Sequence, residues 1–153
     1  MRSAEVLMKK ELAEDFRRLD SAVLVLQHSL LLCQKIGVKA DYSLEELDRF
    51  ECLTSRFART SDIYTQKAMK GVILILREEA NTFIDRANLF EKLEISRAED
   101  LILIRDLRNE ISHEYKMADI TEIFEAVIEY SEKLIEIVRR TKAFAEKKNL
   151  TQG

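Results

Sequence analysis

Four side chains of the segment RNEISHEY, which spans residues 108–115, have types and spacing that suit chemistry. Arg108 offers a fixed positive charge and a fork of N–H donors that fits the oxygens of a phosphate or a carboxylate. His113 can exchange a proton near neutral pH, as general acid–base catalysis requires. Asn109, one helical turn before His113, can orient the imidazole ring. The segment therefore combines an anion-binding group with a proton-transfer group, followed by Tyr115.

Two interpretations remain open for both Arg108 and His113. At about 100° per residue, Arg108 shares an apolar stripe with Ile104 and Ile111, and His113 lies about 140° away. A buried guanidinium needs a partner, so Arg108 either pairs with an acid from another helix or binds an incoming anion. His113 either caps carbonyls at a helix C-terminus or transfers protons. Both can reach one ligand if the helix ends near Ser112, if the length of arginine closes the gap, or if two chains share the site.

The composition indicates a single all-helical domain. The chain has 153 residues with no proline and three glycines, which are too few turn residues for a sheet protein. Its acidic and basic residues are interleaved, and the net charge is −3. Broad polycationic binding to nucleic acid is therefore not expected, although a local basic site remains open.

Metal sites and membrane segments are not expected from the sequence. Cys33 and Cys52 lie far apart and belong to no Cys/His cluster, so we predict free thiols, with Cys33 in the core, and no metal or cofactor. The first residues lack the apolar region of a signal peptide, and no apolar run approaches the ~20 residues of a membrane span. We therefore expect a cytoplasmic chain without membrane contact.

Apolar residues at helical spacing predict an antiparallel up-and-down four-helix bundle with one additional short helix. The predicted helices cover 3–36, 43–79, 81–93, 97–113 and a last helix that opens at residue 119. Gly37 is expected to cap the first helix, and the polar middle of the second favours one long helix with a kink, or a break near Thr60. Residues 1–148 form the domain, and residues 149–153 form a disordered tail. Three pairs match the capping box that begins a helix: Ser43 with Glu46, Ser96 with Glu99, and Asp119 with Glu122.

The motif segment, at the end of a helix in an all-helical chain, resembles the R-x-x-x-x-H-x-Y signature of HEPN-domain proteins. The likeness is closest to HepT-type toxins and to nucleotidyltransferase substrate-binding relatives. Arg108 matches the motif arginine, Asn109 the polar residue that often follows it, His113 the histidine and Tyr115 the tyrosine. The size and the helical layout agree over the whole chain, whereas residues 1–95 match by layout alone.

This resemblance implies a metal-independent endoribonuclease that uses no cofactor. Arg108 would bind the scissile phosphate, and His113 would act as general acid and base. The RNA's own 2′-hydroxyl would attack, which leaves a cyclic phosphate product. Arg105 and Lys116 either add phosphate contacts or are simply solvated.

The resemblance also implies partners. Two motif helices would meet in a homodimer and form one composite cleft that binds RNA. A small nucleotidyltransferase, the antitoxin of a toxin–antitoxin pair, would adenylylate Tyr115 and so silence the toxin, although Tyr115 can also serve only to pack on the apolar stripe. Two alternatives stay open: a non-catalytic helical module that docks a nucleotidyltransferase and presents its substrate, and a structural dimer with a degenerate motif.

Overall fold

The computed structural model describes residues 2–113 and 120–152, and every regular element within these two ranges is a helix. The all-helical class expected from the composition is therefore confirmed. The elements are α1 (Arg2–Ile36), α2 (the continuous segments Leu44–Ile63, Tyr64–Ala68 and Met69–Leu76), the short α3 (Phe83–Lys92), α4 (Ala98–Ile111) and α5 (Ile120–Lys147).

Hydrogen bonds between the long helices give their relative directions. The Cys33 thiol of α1 donates to the carbonyl oxygen of Arg49 on α2 at 3.4 Å, and Arg56 Nη1 donates to Ser29 Oγ at 2.7 Å. Residue numbers thus rise along α2 as they fall along α1, so the two helices are antiparallel. The same reversed order relates α1 to α5, through side-chain hydrogen bonds of 2.6 Å in each of two pairs, Gln34 with Glu132 and Asp20 with Lys142.

Aromatic side chains pack in the core at the end of the bundle where α2 and α5 begin. The rings of Phe50 on α2 and Phe124 on α5 stack with centroids 4.5 Å apart, and Tyr42 packs edge-on against Phe124 at 5.5 Å. Phe50 and Phe124 are fully buried, as the apolar spacing requires of core positions. Among the helices of the described ranges, none has the length and apolarity needed to cross a membrane.

The predicted signals at the two ends of the first loop are confirmed. Gly37 has a φ of 79°, and its N–H donates to the Cys33 carbonyl at 2.9 Å, which closes α1 with a left-handed residue. Ser43 accepts from Glu46 N at 3.1 Å while the Glu46 carboxylate accepts from Ser43 N at 2.9 Å. This reciprocal pair is the capping box expected at the start of α2.

The capping box predicted for Ser96 and Glu99 is wrong. Arg97 is the N-cap residue of α4, and it makes no side-chain capping bond. Ser96 Oγ instead donates to the Arg97 carbonyl at 3.1 Å, and Glu99 pairs with the Arg97 guanidinium at 2.8 Å. The reason is that Glu91, from α3, reaches across and accepts from Ala98 N at 2.9 Å. A carboxylate from the end of the preceding helix, seven residues before Ala98, thus takes the place of the local cap.

The polar middle of α2 contains a π-helical turn at Tyr64–Ala68 within one continuous helix. Thr60 therefore marks no break. The Tyr64 ring is fully buried, and its hydroxyl lies 2.8 Å from Thr141 Oγ1 on α5. A π turn inserts one extra residue into a helix and often occurs beside a functional site. Here it begins two residues after Asp62, at Tyr64.

The end of the chain departs from the predicted disordered tail. Asn149 has a φ of 57°, and Leu150 N donates to the Ala145 carbonyl at 2.8 Å, which closes α5. Leu150 is only 4% exposed and belongs to the hydrophobic core. Leu150 has polar neighbours in the sequence, so the pattern gave no sign that this residue packs against the bundle.

Candidate functional site

Helix α4 carries the motif segment on a scaffold fixed by its apolar face. Leu101, Ile104 and Leu107 are buried, so the rotation of α4 about its own axis is set by the core. The helix ends at Ile111. Beyond it, His113 N donates to the Glu110 carbonyl at 3.1 Å in a last tight turn. Arg108 and Asn109 therefore lie in the last turn of a helix that the core holds in place, and His113 directly follows its C-cap residue, Ser112.

Arg108 forms a two-pronged ion pair with Asp62 of α2. Its Nε donates to Asp62 Oδ1 at 2.8 Å, and its Nη2 donates to Asp62 Oδ2 at 2.9 Å. The arginine side chain is 28% exposed and the aspartate 36%, so the pair lies at the edge of the core. The sequence left two interpretations open for Arg108. The structure shows the first, an ion pair with an acid from another helix.

The ion pair also fixes the charge of Arg108. Hydrogen bonding to Asp62 raises the pKa of the Arg108 guanidinium above its ordinary value, and this effect exceeds the opposing effect of burial. The guanidinium therefore remains a cation at every physiological pH. A fixed cation whose direction is set by a second helix is the kind of group that can bind a phosphate.

The surroundings of Asp62 on α2 are irregular and polar. Asp62 follows Ser61, which is buried and whose hydroxyl has no hydrogen-bond partner in the described part of the chain. It precedes the π turn that begins at Tyr64. A local change of helical pitch alters the direction of nearby side chains, so the π turn contributes to the placement of Asp62 against α4.

His113 and Asn109 lie on the solvent side of α4. Both are exposed, and the Asn109 carbonyl oxygen accepts from Ser112 Oγ at 2.7 Å. Within residues 2–113 and 120–152, no hydrogen bond joins the His113 side chain to Asn109 or to Arg108. The structure thus brings Arg108 to Asp62 and leaves the imidazole open to solvent.

The end of α4 meets the first of the three conditions under which Arg108 and His113 can share a ligand. The helix stops one residue before Ser112, which has a φ of −74° and a ψ of −12°. His113 is therefore not held at its ideal helical angle. The two side chains nevertheless remain apart in one chain, because Arg108 turns to Asp62.

Arg105, one turn before Arg108, is held by two neighbours. Its Nε and Nη2 both donate to Asp106 Oδ1, at 3.3 and 3.1 Å. Its guanidinium carbon lies 4.9 Å from the centroid of the Phe83 ring at the start of α3. Arg105 and Arg108 thus lie one turn apart on α4, and each is paired with a carboxylate.

Three predicted positions fall on residues 114–119, outside the described ranges. They are Tyr115, the expected modification site; Lys116, the second candidate phosphate contact; and Asp119, the expected N-cap of the last helix.

The described side chains offer no obvious place for a metal ion, since no group of three His, Cys, Asp or Glu within these ranges is arranged to hold one. A groove of about 410 Å³ lies between α1 and α5, lined by Val23 and Val138 and crossed by the Lys142–Asp20 ion pair. Neither Arg108 nor His113 lines this groove.

Two residues important to the site escaped the sequence reasoning. Asp62 belongs to the polar stretch SRFARTSDIY of α2, which signalled a polar groove without singling out one acid. Phe83 read as an ordinary apolar position of a short helix, and nothing in the sequence linked it to Arg105. Both links join residues distant in sequence, so they depend on how α2 and α3 pack against α4.

Comparison of the chain with protein-family models, with curated proteins and with solved structures found no match in any of the three.

Proposed function

We propose that this chain is a metal-independent endoribonuclease of the HEPN type, and the toxin of a toxin–antitoxin pair that acts in the cytoplasm. Arg108 binds the scissile phosphate, His113 transfers protons, and Asn109 orients the imidazole. The proposal is motivated by the resemblance of RNEISHEY to the family signature. The observation that carries it is the side-on ion pair of Arg108, in which Asp62 binds Nε and Nη2 of the guanidinium.

Among residues 2–113 and 120–152, the end-on edge of the Arg108 guanidinium has no hydrogen-bond partner, because Asp62 binds the side-on edge. A guanidinium has five N–H groups, and Asp62 accepts from Nε and from one N–H of Nη2. The two N–H groups of Nη1 and the second one of Nη2 point away from that carboxylate. Together they form the end-on fork that fits two oxygens of a phosphate. Asp62 thus fixes the orientation of the Arg108 guanidinium and leaves the end-on fork available to bind a phosphate.

The reaction follows from these groups. A base removes the proton of the RNA 2′-hydroxyl, and the 2′-oxygen attacks the adjacent phosphorus. The bond from phosphorus to the 5′-oxygen breaks, and an acid donates a proton to that leaving oxygen. The products are a 2′,3′-cyclic phosphate and a 5′-hydroxyl. A histidine suits both proton transfers because its ordinary pKa lies near neutrality, and the Arg108 cation stabilises the charge that develops on the phosphorane.

A homodimer supplies the second proton-transfer group. Each chain contributes one Arg108 and one His113, so a composite cleft between two α4 helices contains two of each. The exposure of His113 and Asn109 at the end of α4 supports this arrangement, since a second copy can approach there without clashing with the core. The pairing also accounts for the separation of Arg108 and His113 within one chain.

The proposed partner is a small nucleotidyltransferase. It adenylylates Tyr115, two residues beyond His113, and the bulky anionic adduct blocks the phosphate site. Incubation of the protein with the partner and ATP, followed by mass spectrometry, should show one added adenylyl group. The Tyr115→Phe variant should gain none, and a modified Tyr115→Phe protein would remove this residue from the mechanism.

RNA cleavage by the pure protein in a chelator tests the nuclease itself. We expect Arg108→Ala and His113→Ala each to lower the rate at least about a hundredfold, a typical loss for a charge-stabilising or proton-transferring group. Arg17→Ala is a matched control, because Arg17 is also paired with an acid but lies on α1. Equal rates in all four proteins would refute the assignment.

One observation favours a second candidate function. Because Arg108 already has a carboxylate partner, it can serve as a purely structural clasp between α2 and α4. The chain would then be a non-catalytic helical module that docks a nucleotidyltransferase and presents its substrate. This candidate predicts complex formation with the partner and no RNA cleavage, with Arg108→Ala lowering stability alone.

A further inference from the structure

Phe83 and Arg105 form a small platform beside Arg108. Phe83 is the first residue of α3, and its ring is only partly buried. The Arg105 guanidinium carbon lies over that ring at 4.9 Å, within the range of a cation–π contact. The Arg105 side chain is 35% exposed, so part of it remains accessible to solvent.

The start of α3 holds the Phe83 ring of this platform in place. Thr82 accepts from Asp85 N at 3.1 Å, and the Asp85 carboxylate accepts from Thr82 N at 3.3 Å, so the helix begins at a defined place. Arg86 Nη1 donates to the carbonyls of Ala80 and Asn81, which ties the preceding loop to the helix. The Phe83 ring therefore lies at a helix end that these hydrogen bonds hold in place.

The hydrogen bonds of Arg105 to Asp106 fix the orientation of its guanidinium plane. Nε and Nη2 both donate to Asp106 Oδ1, which compensates part of the charge. The Phe83 ring then supports one face of the guanidinium. The Arg105 guanidinium is thus a flat, partly neutralised group. Unpaired RNA bases stack on arginine planes of this kind.

The spacing of Arg105 and Arg108 along α4 is comparable with the span of one nucleotide. The two residues lie one turn apart on α4, with about 5–6 Å expected between their Cβ atoms. A base is separated from its own phosphate by one ribose, which is a comparable span. A phosphate on the Arg108 fork therefore brings a neighbouring base to Arg105.

We propose that Arg105, supported by Phe83, stacks an unpaired base next to the scissile phosphate and so selects single-stranded RNA. This inference rests on the proposed nuclease function and revises the expected role of Arg105 from a phosphate contact to a base platform. Arg105 is then a specificity-determining residue, whereas Arg108 and His113 carry the chemistry.

The test compares Arg105→Lys with the wild-type homodimer after the cleaved bond has been mapped in a single-stranded oligoribonucleotide. Lysine keeps the charge and removes the plane. We expect KM to rise about tenfold with little change in kcat, as the loss of one base-stacking contact implies. Phe83→Leu, which keeps apolar support but removes the ring, should raise KM in the same direction. Arg17→Lys, on α1, should change neither constant.

A second substrate separates stacking from charge. It carries an abasic ribose in place of the base beside the cleaved bond, and stacking predicts equal KM values for wild type and Arg105→Lys on it. If Arg105→Lys weakens the intact and the abasic substrate by the same factor, Arg105 is a phosphate contact and the inference is overturned. Equal KM values on the intact substrate also overturn it. A wild-type protein that cleaves no RNA refutes the nuclease function itself, and this inference with it.

Discussion

The carboxylate of Asp62 binds the guanidinium of Arg108 through two hydrogen bonds, of 2.8 Å to Nε and 2.9 Å to Nη2. The pair joins the segment of α2 before its π turn to the last two turns of α4. Because both side chains are partly exposed, the pair adds only about 1 kcal/mol to stability. Its larger consequence is geometric, since it decides where the Arg108 cation points.

Asp62→Asn tests this positioning role. The amide keeps the shape of the side chain but loses the charge and one acceptor, so the guanidinium is less firmly aimed. We expect the free energy of unfolding in urea to fall by at most about 1 kcal/mol. The kcat for RNA cleavage should fall about tenfold, which corresponds to about 1.4 kcal/mol of transition-state stabilisation.

The control for Asp62→Asn is Glu14→Gln, which removes an exposed carboxylate that pairs with Arg17 on α1. It should leave the cleavage rate unchanged. Asp62→Glu restores the charge and should recover part of kcat. An Asp62→Asn protein that cleaves at the wild-type rate would show that Asp62 does not position Arg108 for catalysis.

The limits of sequence reasoning differ between local and remote contacts. Ser43 and Gly37 signalled their helix ends correctly, because capping boxes and left-handed glycines depend on a few neighbouring residues. Ser96 had the same local signal, yet the carboxylate of Glu91 from α3 displaced it. The sequence cannot rank a local cap against a carboxylate that arrives through tertiary packing.

The candidate site also combines features that the sequence predicts with contacts that only the fold determines. The helical position of Arg108 showed that the arginine needs a partner, but the identity of Asp62 depends on how α2 packs against α4. The Phe83 contact with Arg105 depends on the place of α3, which no periodicity fixes. Charge requirements can thus be read from the sequence, whereas the partners that meet them come from the fold.

Leu150 should anchor the end of the chain. It is 4% exposed and packs in the core beyond the end of α5, so Leu150→Ala removes buried apolar surface and leaves a cavity. We expect a loss of about 2–3 kcal/mol in the free energy of unfolding, measured with urea. The neighbouring Thr151→Ala is the control and should change stability by less than about 0.5 kcal/mol. A harmless Leu150→Ala substitution would indicate that this segment does not pack in solution.

Cys33 should make the fold sensitive to alkaline pH. Burial raises the pKa of its thiol to about 11, so the folded state binds this proton more tightly than the unfolded chain does. The resulting stabilisation is complete below the unfolded pKa of about 8.5 and is lost as the pH rises to the folded value. Unfolding free energies should therefore decline over this interval.

The Cys33→Ala variant isolates that contribution. Its own stability is lower because of the missing sulfur, but its decline between about pH 8.5 and 11 should be shallower than that of the wild type. Cys52→Ala, which removes the more exposed thiol, should keep most of the wild-type slope. Parallel curves for wild type and Cys33→Ala would contradict the assignment of this sensitivity to Cys33.

The central claim is that the RNA's own 2′-hydroxyl attacks a phosphate held by Arg108, with protons moved by His113 and without a metal ion. The most direct measurement is cleavage, in a chelator, of an oligoribonucleotide with 2′-deoxyribose at the single nucleotide before the mapped bond. We expect this bond to stay intact, while the all-ribose substrate gives a 2′,3′-cyclic phosphate and a 5′-hydroxyl. Cleavage at the 2′-deoxy position, or loss of all activity in the chelator, would contradict it.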